Sequence, residues 1–120
     1  MKPFNICEEM ILTGKSKRTF LKWLKIRVNS KLHEIDKIEF WFNLQDDSFK
    51  IALIIEWFDS VKLFIEISFF NDDYWTYNVY TDHVILEKEQ ANICQNREDA
   101  IKQAIVKANN IYNEKYSISQ

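Results

Sequence analysis

The stretch Lys37–Tyr80, KIEFWFNLQDDSFKIALIIEWFDSVKLFIEISFFNDDYWTYNVY, decides how this chain is read. Apolar residues alternate along it in four runs: Ile38, Phe40, Phe42 and Leu44; Phe49, Ile51, Leu53, Ile55 and Trp57; Val61, Leu63, Ile65, Ile67 and Phe69; Trp75, Tyr77 and Val79. Successive side chains of a strand point to opposite faces, so the alternation predicts four half-buried strands. Most of these residues are β-branched or aromatic types that fit a pleated surface. Acidic breaks separate the runs at Asp46-Asp47, Phe58-Asp59-Ser60 and Asn71-Asp72-Asp73. Read as short hairpin loops, they keep the apolar set on one face. The predicted register pairs Leu44 with Phe49, Leu53 with Ile65, and Ile65 with Val79.

The reverse face of this sheet mixes two kinds of residue. Lys37, Glu56, Lys62 and Asp82 form a row of alternating charge, which suits a solvated surface. Trp41, Ile54, Phe64 and Tyr80 do not suit one. They form a predicted apolar patch for a protein partner or for a second copy of the chain. The turn carboxylates Asp46, Asp47, Asp72 and Asp73 are expected to share one end of the sheet and to face a basic target. Asp is also a favoured turn former, which accounts for these residues without metal or acid–base chemistry.

Helices are expected before and after the sheet in the chain. Asn5 to Leu12 has a capping residue and an early Glu8, and Thr13-Gly14 is positioned to end that helix. A second helix runs to about Val28, with Phe20, Leu21, Leu24 and Val28 at helical spacing. Between Lys15 and Lys31 lie 7 basic residues and no acid, so the other 9 basic residues share the chain with all 18 acids, a net of −9. Such asymmetry biases encounters with charged partners. Lys17, Arg18, Lys22, Lys25 and Arg27 are the candidate phosphate contacts if the segment binds nucleic acid. Asn29 to Asp36 reads as a polar linker, and His83 to Lys88 as a fifth strand. From Asn96 a last helix buries Ala100, Ile101, Ala104, Ile105, Ala108, Ile111 and Tyr112.

Composition bounds the function. A chain of 120 residues is one domain, and 47% hydrophobic residues make it globular. One glycine and one proline leave no glycine-rich phosphate loop or flexible linker. No apolar run approaches the ~20 residues of a membrane span. Met1-Lys2-Pro3-Phe4-Asn5 lacks the apolar core of a signal peptide, so the expected location is cytoplasmic. Cys7 and Cys94 stand far apart, in no metal-like spacing, and are expected to be reduced. No Walker loop, dinucleotide fingerprint, HExxH, CxxC or nucleophile elbow occurs, so neither enzyme activity nor a metal or cofactor is expected.

The order helix, meander, helix is loosely similar to the double-stranded-RNA-binding domain. That family carries a lysine cluster at the start of its final helix, where this chain reads Arg97-Glu98-Asp99. In type alone the chain looks like bacterial immunity proteins and phage-encoded inhibitors. The reading is therefore a single α+β domain over 1–120, with a helical segment 1–30, a four- to five-stranded antiparallel meander over 37–88 and a helix over 96–114, the helices packed on one sheet face. Its expected role is protein binding as an inhibitor, immunity-type, phage-type anti-defence or adaptor protein. The alternatives are nucleic-acid binding through 15–31, and a small-molecule pocket near Trp57, Trp75 and Tyr77. No membrane contact is expected.

Overall fold

A computed structural model of the chain describes residues 10–28, 34–81, 85–87 and 93–117. Its elements are α1 (Gly14–Arg27), α2 (Ile35–Asn43), α3 (Asp47–Ser60), β1 (Phe64–Phe70), β2 (Tyr74–Tyr80), β3 (Ile85–Glu87) and α4 (Arg97–Ser117). The strands lie antiparallel in the order β1-β2-β3. β3 has three described residues, so among the described residues the sheet is in substance one hairpin. The expected first helix from Asn5, Cys7, His33, His83 and most of the linker from Asn29 fall outside the described residues. Met10 to Leu12 are not helical, and Gly14 opens a helix instead of ending one.

The class is α+β, but the four- to five-stranded meander is overturned: its first two strands are α2 and α3. Burial identifies the true period. In a strand, Ile38, Phe40, Phe42 and Leu44 share a face. Here Ile38 and Phe42 are buried while Phe40 is 54% and Leu44 49% exposed. In α3 the buried residues are Leu53, Ile54, Trp57 and Phe58, two adjacent pairs one turn apart. A strand would put Leu53 and Ile54 on opposite sides. The run Ile51–Phe58 is apolar at nearly every position, so both periods fit it and alternation alone is no guide. Asp46-Asp47 is a helix start. Asp46 occupies the N-cap position, its carbonyl accepts the Lys50 N–H at 2.9 Å, and Asp47 lies in the first turn, where acids suit the dipole.

The second expected loop, Phe58-Asp59-Ser60, is the last turn of α3. The Leu63 N–H donates to the Phe58 carbonyl at 2.9 Å and the Lys62 N–H to the Asp59 carbonyl at 3.1 Å. These two bonds define a Schellman motif, with buried Leu63 closing onto buried Phe58. The left-handed position that glycine usually fills is held by Lys62, at φ 68°. The helix end therefore carries no glycine signal in the sequence.

The third loop is a hairpin. β1 and β2 pair Ile65 with Val79, Ile67 with Tyr77 and Phe69 with Trp75. Asn71 and Asp72 take φ of 55° and 56°, and the Asp73 N–H reaches the Phe70 carbonyl at 3.0 Å. Positive φ at both central residues is the primed-turn geometry that matches strand twist, and Asn and Asp tolerate it. β2 is flanked on its other side by β3 and by a bridge in which Trp75 and Cys94 exchange both backbone bonds, at 2.9 and 2.8 Å.

The four helices meet in a cluster of rings. Phe20 of α1 lies edge-on to Phe42 of α2 at 5.2 Å and to Trp57 of α3 at 5.8 Å, and Trp57 packs on Tyr112 of α4 at 5.0 Å. α4 lies against β1 and β2 with Ala100, Ala104 and Ala108 fully buried, because small side chains let its backbone approach the aromatic strands. Its start is capped as expected: the Asp99 N–H donates to Asn96 Oδ1 at 2.8 Å.

Candidate functional site

One break with a buried-apolar pattern lies at the closed end of the β1–β2 hairpin. Phe69 is 48% exposed and Phe70 47%, on opposite faces of β1. Each stacks on its cross-strand neighbour: Phe69 on Trp75 with centroids 4.8 Å apart, Phe70 on Tyr74 at 5.6 Å. Rings thus flank both faces of the turn that carries exposed Asp72 and Asp73. Paired rings are mutually oriented, so little side-chain freedom remains to be lost on binding.

Of the apolar patch expected on the sheet, only half is on the sheet. Phe64 and Tyr80 pair across β1 and β2 with rings 5.8 Å apart and half-buried. Trp41 is on α2 and Ile54 is in the core on α3, so the patch does not exist as one surface. The acidic residues also separate. Asp72 and Asp73 are at the hairpin tip, whereas Asp46 and Asp47 begin α3, where Asp47 pairs with Lys50 at 3.5 Å. Trp41 belongs to a different exposed apolar corner, with Phe49 6.3 Å away and Phe40 and Leu44 on the outer side of α2. Phe40 and Leu44 are four apart, a signal visible only once the segment is known to be helical.

The basic segment is α1, and Lys17 and Arg27 of its candidate phosphate contacts are held in ion pairs. Lys17 Nζ lies 2.8 Å from Glu39 Oε2 on α2. Arg27 donates through Nε and Nη2 to the two carboxylate oxygens of Glu56 on α3, at 2.7 and 3.3 Å. These pairs tie α1 to its neighbours. Arg18 and Lys22 are exposed, and no described acid pairs with them. With Lys15 and Lys25 they fall at helical spacing along one stripe.

Elsewhere the chemistry is quiet. Among the described residues no three of His, Cys, Asp and Glu gather as metal ligands, and no helix is long and apolar enough to cross a membrane. Cys94 is buried, and burial, with the Asp99 charge second, pushes its thiol pKa up, away from reactive thiolate. Trp57 is enclosed by the rings of Phe20, Phe58 and Tyr112, while Trp75 stacks at the hairpin tip, so the residues named for a small-molecule pocket have different neighbours. Comparison with known proteins adds nothing to this geometry: no family model matches the chain, and no curated protein or solved structure matches it significantly.

Proposed function

We propose that this chain is a small non-enzymatic protein-binding domain, working in the cytoplasm as an inhibitor, immunity-type, phage-type anti-defence or adaptor protein. One observation supports the reading: two stacked ring pairs stand half-exposed beside Asp72 and Asp73 at the hairpin tip. Aromatic side chains dominate interface hot spots. Carboxylates beside them select a partner presenting Lys or Arg, which also meets the ring faces as a cation–π contact. The contact residues are Phe69, Phe70, Asp72, Asp73, Tyr74 and Trp75.

Capture from lysate of the source cells tests this, using the natural chain, a Phe69→Ser/Phe70→Ser double variant, an Asp72→Asn/Asp73→Asn double variant, and Ile26→Ser as an exposed apolar control. The natural chain and the control are expected to retain the same basic protein. The ring variant loses it, and the Asn variant holds it weakly and with less salt dependence. Equal capture by all four chains refutes the reading.

A second reading is contact with nucleic-acid phosphate through the α1 stripe, favoured by the exposed Arg18 and Lys22, which pair with no described acid. It predicts retention on DNA or RNA at low salt, abolished by Arg18→Gln/Lys22→Gln. No retention at low salt ends it.

A further inference from the structure

Among the described residues β1 is an edge strand, and which of its backbone groups face outward follows from its neighbours. Trp75 exchanges both of its backbone bonds with Cys94, so its N–H and C=O point away from β1. The pair Phe69–Trp75 is therefore a non-hydrogen-bonded pair of the β1–β2 ladder. The N–H and C=O of Phe69 face outward, and by the two-residue period so do those of Ile67 and Ile65. No described residue bonds to them. The strand, FIEISFF, has no lysine, proline or bulge to discourage pairing, and its single charge is Glu66.

We propose that this edge pairs with itself, joining two copies of the chain about a two-fold axis at Ile67 into one continuous antiparallel sheet. Three features of the strand fit that register. First, Ile67 meets Ile67 of the second copy and Ile65 meets its Phe69, so every outward-facing residue opposes another outward-facing residue. Each such pair exchanges two backbone hydrogen bonds. Second, Glu66 falls opposite Ser68; an axis one residue earlier would set Glu66 against itself. Third, Lys62 and Asp72 each lie two residues beyond the strand Phe64–Phe70, so the axis sets the end of β1 that carries exposed Lys62 beside the end of the other copy that carries the acidic turn, twice. Phe64 then neighbours the half-exposed Phe70 of the second copy and covers part of it.

Sedimentation equilibrium of the full chain, with no partner present, tests the dimer apart from the hairpin-tip reading. Hydrogen exchange at Ile65, Ile67 and Phe69 reads the edge itself. A dimer is expected, with these three amides protected as concentration rises. Ile67→Pro removes one outward N–H and leaves the β1–β2 bonds in place, so it should give a folded monomer. A monomer at all concentrations, a dimer with these amides unprotected, or a dimer that Ile67→Pro leaves intact overturns the proposal. If circular dichroism shows Ile67→Pro unfolded, charge reversal decides. Lys62→Glu should raise the dissociation constant several-fold and Lys62→Glu/Asp72→Lys should restore it; no effect of either overturns the proposal.

Discussion

Asn113 of α4 caps the start of α1 from 97 positions away: its Oδ1 accepts the Ser16 N–H at 2.7 Å and its Nδ2 donates to the Thr13 carbonyl at 2.9 Å. Asn109, one turn earlier and buried, accepts the Thr13 N–H at 3.0 Å and donates to Thr13 Oγ1 at 3.0 Å. Thr13 makes no side-chain cap bond of its own to α1. The first and last described helices are therefore joined through the orphan N–H groups that every helix start leaves open. Asn113→Ala is expected to cost about 1 kcal/mol. Asn109→Ala, which strands buried groups, should cost about 2 kcal/mol. Urea unfolding of both variants checks this. Gly14, at φ +60° and with Asn113 only 3.2 Å from where a Cβ would stand, should not tolerate Gly14→Ala in the same assay.

Lys62→Gly should stabilise the chain by about 1 kcal/mol, because Lys62 holds the left-handed Schellman position without glycine's freedom. A raised urea midpoint at unchanged slope, at a concentration where the chain is monomeric, is the expected result. A lower midpoint would mean that the lysine side chain does more than occupy the turn.

Ser16 is fully buried, and its Oγ has no hydrogen-bond partner among the described residues. A buried hydroxyl without a partner keeps its desolvation penalty. Ser16→Ala is therefore expected to be neutral or stabilising, unlike most buried polar changes, and a thermal melt distinguishes the outcomes.

Asp59 sits in the last turn of α3, where negative charge opposes the helix dipole. Burial raises its carboxyl pKa and the Glu56 charge raises it further. A folded pKa above the unfolded value means that the native state binds the proton more tightly. Stability then falls as pH rises from the unfolded to the folded pKa, and the penalty persists at neutral pH. Asp59→Asn should melt higher than the natural chain at pH 7, and the gap should close as pH drops into the carboxylate range. A gap independent of pH would contradict the charge argument.

Burial of Ile54 separates what was legible from what was not. The sequence by itself determined the segments whose signals are local. Asn96 and the acids after it mark the start of α4. Phe20, Leu21 and Leu24 mark the inner face of α1. Alternation about Asn71-Asp72-Asp73 sets the β1–β2 register and so the ring pairs at the tip. Only the tertiary structure decided Lys37 to Ser60. There the apolar residues are dense enough to satisfy both a two-residue and a 3.6-residue period, the helix end has lysine in place of glycine, and the aspartates that cap α3 equally suit a turn. The choice rests on long-range packing, with Phe42 and Trp57 meeting Phe20 where the helices converge. The outward-facing edge of β1 was invisible for the same reason: with helices in place of two strands, β1 has no neighbour on that side among the described residues.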